Sequence, residues 1–79
     1  MAKFPVDPRK DRVLKALAKL GFEVIREHSH IVLERRNPDG SKTPMTIPNH
    51  LNVRSGTLRA ALNQSHVDRQ SFLDVFEAL

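Results

Sequence analysis

Hydrophobic positions recur at helical spacing in the first third of this 79-residue chain. Between residues 8 and 20 they fall at i, i+1, i+4 and i+7, which places them on one face of an α-helix. They are Val13, Leu14, Leu17 and Leu20. Asp7 is a candidate N-cap for this helix, Pro8 suits its first position, and Gly21 suits its end. The pattern therefore predicts an amphipathic helix over residues 8–20.

Three shorter segments have the composition of β-strands, and the middle one alternates. Ile31, Leu33 and Arg35 should share one face of that strand, with His30, Val32 and Glu34 on the other. The sequence Asn-Pro-Asp-Gly at 37–40 predicts a tight turn, and two prolines mark the third strand as an edge strand. The predicted strands are Phe22–Glu27, His30–Arg36 and residues 42–47.

The last third of the chain predicts a loop over residues 49–56 and then two helices. The first covers residues 57–64 with Ser55 as its cap, and the second begins after Asp68. The residues expected to face inward are Leu58, Ala61, Leu62, Phe72, Val75, Phe76 and Leu79.

The order α-β-β-β-α-α predicts an α+β fold with a three-stranded antiparallel meander and helices on one face of the sheet. A chain of this length is expected to form one domain, residues 1–79. The same element order occurs in the double-stranded-RNA-binding fold, although order alone does not give a function.

The composition favours a polyanionic partner, since 13 Lys and Arg stand against 9 Asp and Glu and the formal net charge is +4. The chain has no Cys, so disulfides and Cys-based zinc sites are excluded. Its apolar runs are far shorter than the ~20 residues that cross a bilayer, and its start does not resemble a signal peptide. We therefore expect a cytoplasmic protein that does not contact membranes.

Two histidines at the start of the second strand carry the candidate chemistry. His28 and His30 have the same parity in an extended chain, opposite to the core candidates Ile31 and Leu33. His30 is thus expected on the uncovered face of the sheet, where packing does not require it. Three interpretations are open: ordinary polar residues beside a turn, a zinc-chelating pair with His50 as third ligand, or a proton-transferring His in a basic site.

Basic residues flank the predicted turn and the start of a predicted helix. Arg35 and Lys42 flank the tight turn, and Arg54 and Arg59 flank the start of the second long helix. The free backbone N–H groups of a helix start suit a phosphate. Several basic clusters in one small domain favour binding to an RNA backbone, which does not need aromatic stacking.

Five pieces of the sequence, in order and at close spacing, resemble the HicA family of toxins from toxin–antitoxin pairs. They are "LAKLGFEVIREHSHIV", "PDG", "MTIPNH", "SGTLRAAL" and the Phe72-Leu73 pair. The resemblance implies a double-stranded-RNA-binding-like fold, cleavage of mRNA, and inhibition by a HicB antitoxin. The family's catalytic histidine follows a small polar residue at the start of the second strand, which here is the pair Ser29-His30.

The chain departs from the commonest family pattern at three positions. His28 stands where Gly is frequent, Ile31 where a second His is common, and His66 where many members have Gly between the last two helices. The last position matters for the backbone, because His adopts a left-handed conformation less readily than Gly.

The resemblance, with the placement of His30 and the basic residues, implies a metal-independent endoribonuclease toxin without a small-molecule cofactor, whose partners are mRNA and a HicB-type antitoxin. His30 is the predicted catalytic residue. The predicted RNA-binding residues are His28, Arg35, Lys42, His50, Arg54 and Arg59. The alternatives are a non-catalytic basic RNA-binding module of the same fold and a domain whose exposed sheet face binds a protein.

Overall fold

The computed structural model describes residues 3–79 and has the predicted element order. Its helices and strands are α1 (Lys10–Lys19), β1 (Phe22–Glu27), β2 (His30–Arg36), β3 (Lys42–Pro48), α2 (Ser55–Gln64) and α3 (Arg69–Glu77). The predicted α+β class is therefore confirmed. Within residues 3–79, no helix has the length and apolar character needed to cross a membrane.

The three strands form one antiparallel sheet in the order β1-β2-β3. His30 at the start of β2 pairs with Pro48 at the end of β3, and Arg36 pairs with Lys42 beside the 37–40 turn. β1 is an edge strand whose register shifts between Val24 and Arg26, which indicates a β-bulge. The sheet thus has two distinct ends, one at His30 and one at the tight turn.

The helices cover one face of the sheet and enclose the hydrophobic core. Ile31 and Leu33 of β2 are buried against them, whereas His30 is exposed. The alternation predicted for β2 is therefore confirmed. The buried apolar residues are Val13, Ala16, Leu17, Phe22, Ile31, Leu33, Met45, Ile47, Val53, Leu58, Ala61, Leu62, Val67, Phe72, Leu73 and Phe76.

The predictions that Asp7 is the N-cap of the first helix and Ser55 that of the second are wrong, since Arg9 and Arg54 occupy those positions. The first helix begins at Lys10, and Asp7 (φ 43°) lies outside it. Asp7 Oδ1 instead accepts a hydrogen bond from Ser55 N at 3.1 Å, and Asp7 N donates to Ser55 Oγ at 2.9 Å. Ser55 is the first residue of α2, and its hydroxyl donates to the carbonyl of Pro5 at 2.6 Å. Asp7 therefore caps the second helix from across the fold.

Most of the features predicted for the last helix are confirmed. Asp68 caps α3 by accepting from Ser71 N at 3.1 Å, and Phe72 and Phe76 are buried as expected. Leu79 does not face inward: it is 41% exposed, because α3 ends at Glu77. His66, between α2 and α3, has φ 55°, the left-handed conformation for which a Gly is usual.

Candidate functional site

His30 lies at the first position of β2 on the face of the sheet that the helices leave open. Its side chain is exposed, and its nearest polar contact is Ser29 Oγ, 3.5 Å from Nδ1. That distance is at the long limit of a hydrogen bond. The imidazole is therefore available to an external group.

His28 lies in the turn between β1 and β2, where the chain is no longer extended. Its backbone N donates to the carbonyl of His30 at 3.0 Å, which closes the turn. The parity rule that placed His28 and His30 on one side assumes an extended chain. It consequently does not apply at this turn, although the two histidines remain neighbours there.

An open pocket of about 380 Å³ lies beside the end of β3. Its lining residues are Pro48, His50, Asn52, Arg54 and Thr57. Pro48 is the residue that pairs with His30, and directly paired Cα atoms lie about 4.5–5.5 Å apart. The exposed His30 is therefore next to a pocket that carries a second histidine and an arginine.

The loop between β3 and α2, residues 49–54, carries most of the pocket residues and is called the pocket loop. It is held in place by the segment that precedes α1. Lys10 N donates to the carbonyl of Leu51 and Val53 N donates to that of Pro8, both at 2.8 Å. Val53 is fully buried, which anchors the middle of the loop in the core. Asn52 Nδ2 also donates to the carbonyl of Asp7 at 2.9 Å. These bonds fix the backbone that presents the pocket side chains.

Asn49 connects the pocket loop with the turn that precedes His30. Its backbone N donates to the carbonyl of Ser29 at 3.1 Å, and its Nδ2 donates to the carbonyl of His28 at 2.8 Å. Its Oδ1 accepts from Lys10 Nζ at 2.7 Å. Three chain segments thus meet at this one side chain.

Two of the predicted RNA-binding residues lie at the other end of the sheet. Arg35 is five residues along β2 from His30, which corresponds to about 17 Å in a strand. It is half-buried, with its guanidinium 5.0 Å from the Phe22 ring centre. Lys42 Nζ lies 3.7 Å from Oε1 of the half-buried Glu34, with which it forms an ion pair. The structure therefore does not bring Arg35 and Lys42 together with His30.

Two other predicted RNA-binding residues, Arg54 just before α2 and Arg59 within it, lie closer to the pocket. Arg54 lines it directly, and Arg59 follows five residues later, about 7.5 Å along the helix axis. The guanidiniums of Arg59 and Arg69 lie 5.7 and 6.0 Å from the centre of the Phe4 ring. Of the backbone N–H groups at the start of α2, where we expected a phosphate site, that of Ser55 is bonded to Asp7.

The zinc interpretation required His28, His30 and a third ligand to meet. Among residues 3–79, no three His, Asp or Glu side chains are grouped closely enough to hold a metal ion.

Lys10 and Asn49 are the residues near the pocket that sequence reasoning missed. No sequence pattern marked Lys10, whose bond to Asn49 spans 39 positions of sequence. The signal for Asn49 in the sequence is its place between Pro48 and His50 in the segment "MTIPNH", which resembles the HicA family.

The chain matches a known protein family over most of its length. The family model described as HicA toxin of bacterial toxin-antitoxin matches residues 11–67, well over half of the chain and including His30, His50 and Arg54. No curated protein and no solved structure gives a significant match to the chain. The chain belongs to the HicA toxin family and is a toxin of a toxin–antitoxin system.

Proposed function

We propose that this toxin is an endoribonuclease that cleaves mRNA without a metal ion, with His30 as a proton-transfer residue. The observation that carries the proposal is the exposed His30 on the open sheet face beside the pocket with His50 and Arg54. His30 is not needed for packing, so a chemical role is the simplest reason for a histidine there.

The reaction needs three contributions, and the site has residue types for each. A base removes the proton from a ribose 2′-OH, whose oxygen attacks the adjacent phosphorus. An acid protonates the departing 5′-oxygen, which leaves a 2′,3′-cyclic phosphate on one product. Histidine suits both proton transfers because its pKa is ordinarily near neutral pH. Cations stabilise the extra negative charge on the phosphate oxygens in the transition state.

His50 is the better candidate than His28 for the second proton transfer. It lines the pocket, whereas His28 belongs to a turn whose backbone is bonded to His30 and Asn49. An enzyme with one acid and one base has a bell-shaped pH profile of kcat/KM, and removal of one group removes one limb. His50→Ala should therefore flatten one limb of the profile, and His28→Ala should leave both limbs.

The predicted RNA-binding residues take different parts in this proposal. Arg54 is placed to hold the phosphate at the pocket, and Arg59 to hold a neighbouring phosphate along α2. Arg35 lies about 17 Å along the sheet from His30, and Lys42, which pairs with Arg36, about 20 Å, so both would contact the RNA several nucleotides away. Such contacts raise affinity without sequence preference and are weakened by salt.

The antitoxin partner of this toxin is proposed to be of the HicB type. An exposed histidine beside a basic pocket offers an acidic partner both charge complementarity and a way to exclude RNA. Addition of the antitoxin should therefore stop RNA binding as well as cleavage. A complex whose interface leaves His30 uncovered would contradict this mode of inhibition.

The test is cleavage of a purified mRNA by wild type and His30→Ala in the presence of EDTA. Wild type should produce fragments with 2′,3′-cyclic phosphate ends, and His30→Ala should produce none. Because His30 is exposed, the substitution should change the free energy of unfolding by less than about 0.5 kcal/mol. Equal cleavage by both proteins would refute the role of His30.

The same assay separates the proposal from its alternative, a non-catalytic RNA-binding module. Such a module would bind RNA with strong salt dependence and leave it intact. Intact RNA with wild type at concentrations that saturate binding would favour the module and contradict the ribonuclease.

A further inference from the structure

Asn49 is the most highly connected polar side chain at the candidate site. Its side-chain Nδ2 donates to the carbonyl of His28 at 2.8 Å, and its Oδ1 accepts from Lys10 Nζ at 2.7 Å. The orientation of the amide follows from its partners, because an ammonium only donates and a carbonyl only accepts. Asn49 is thus held in one orientation by groups from two other segments.

This connection fixes the backbone of His30 from two sides. The turn that leads into His30 is bonded to Asn49 through His28 and Ser29. On the opposite strand, Pro48 pairs with His30 and directly precedes Asn49. Loss of the Asn49 side chain should therefore shift the backbone that positions the His30 imidazole.

Lys10 is an unusual residue for its position in α1. It is the first helical residue, where the positive end of the helix dipole disfavours a cation. Its neighbour Arg9 is paired with Asp11 at 3.3 Å, but within residues 3–79 Lys10 has no ion pair. A local rule broken without electrostatic compensation is typical of a functional position.

The ammonium of Lys10 retains capacity for an anion. It has three N–H donors, and the bond to Asn49 uses one of them. That bond holds the end of a flexible side chain between the turn before His30 and the loop that carries His50. The residues on either side of Asn49, Pro48 and His50, line the pocket, so a phosphate bound there would lie near this cation.

We infer that Lys10 binds a phosphate of the RNA next to His30 and that Asn49 positions both Lys10 and the turn that carries His30. This inference rests on the proposed ribonuclease function. It adds a phosphate ligand from α1 to those from α2, so that the bound phosphate lies between two elements of the fold.

The first measurement is binding of a short single-stranded RNA oligonucleotide at several salt concentrations, with His30→Ala as the common background. Loss of one phosphate contact should reduce the slope of log K against log salt by about 0.7. Lys10→Met should show this reduction. Lys19→Met is the matched control, since it removes the same charge about 13 Å further along α1 and should leave the slope unchanged.

The second measurement is single-turnover cleavage of the same oligonucleotide at saturating protein. Lys10→Met and Asn49→Ala should each slow cleavage at least tenfold, and Lys10→Arg should recover part of the loss by restoring a cation. A residue that only supports the fold would lower the melting temperature and would leave the rate at saturation unchanged in the folded protein. A rate loss larger than the affinity loss for Asn49→Ala is the expected signature of positioning.

The outcomes separate this inference from the function on which it rests. If wild type cleaves, His30→Ala does not, and Lys10→Met matches wild type in rate and salt slope, the inference alone is wrong. Equal effects of Lys10→Met and Lys19→Met would also overturn it. If His30→Ala cleaves like wild type, the proposed function is wrong, and the salt slope still decides whether Lys10 contacts a phosphate.

Discussion

Replacement of Asp7 by Ala tests the contact that holds the pocket loop to the start of the chain. The carboxylate accepts from Ser55 N at 3.1 Å and so caps α2 from a segment 48 residues away. Loss of an N-cap side chain costs about 1 kcal/mol, within a range of roughly 0.5–2 kcal/mol. For a domain of this size, 1 kcal/mol corresponds to a fall in melting temperature of about 4–8 °C.

The assay combines thermal unfolding with amide hydrogen exchange. Asp7→Ala should lower the melting temperature and accelerate exchange of the Ser55 amide, whose hydrogen-bond acceptor is lost. Asp7→Asn should have a smaller effect, since its Oδ1 still accepts a hydrogen bond and Asn tolerates a positive φ. Asp74→Ala is the control, because Asp74 accepts from Gln70 one turn away on the exposed face of α3, a contact worth about 0.2–0.5 kcal/mol.

Two results would refute this reasoning. A loss for Asp7→Ala no larger than that for Asp74→Ala would mean that the cap contributes nothing. Faster exchange in the first turn of α1, with Ser55 unaffected, would mean that Asp7 caps the helix that follows it in sequence.

Three further predictions concern local features of the fold. His66→Gly should raise the free energy of unfolding by about 0.5–1 kcal/mol, since it relieves a left-handed residue (φ 55°) at some cost in chain entropy; a lower melting temperature would contradict this. Ser41→Ala should raise the pKa of Asp39 in an NMR titration, because that pKa is lowered first by the Ser41 hydroxyl and then by its backbone N–H. The stability that this depressed pKa contributes exists above the unfolded pKa and is lost as pH falls through the folded pKa, so a stability deficit of the variant that did not shrink as the pH was lowered would have another cause. Phe72→Ala should cost about 3–5 kcal/mol in denaturant unfolding, since the ring is fully buried and stacks on Phe76; a loss under 1 kcal/mol would contradict the packing.

The sequence was sufficient for the parts of the fold that depend on local pattern. The alternation in β2 correctly separated Ile31 and Leu33 from His30, and Gly21 and the 37–40 turn correctly marked the ends of their elements. Such features depend on the period of apolar residues and on backbone conformations that few residues adopt. The exposure of His30 followed from the same periodicity.

Contacts between distant segments could not be predicted in this way. Asp7 and Pro8 form a good start for a following helix, yet the carboxylate of Asp7 reaches Ser55 because the chain before α1 packs along the pocket loop. The link between Lys10 and Asn49 depends on the same packing. Local sequence patterns indicate which hydrogen bonds a side chain is able to make, but tertiary packing determines which partner lies within reach.

The sequence does not distinguish the basic residues that lie at the site from those that lie elsewhere on the fold. Arg35 and Arg54 were equivalent candidates in sequence, but only Arg54 lies at the pocket beside His30. β2 runs away from the pocket by about 3.3 Å per residue, so its far end belongs to another surface.

The most direct test of the central claim is induced expression of wild type and His30→Ala in a bacterial host, with growth and total mRNA integrity followed together. Both proteins should accumulate in soluble form. The account predicts that wild type arrests growth while mRNA is fragmented, and that His30→Ala does neither. Growth arrest by both proteins with intact mRNA would contradict it.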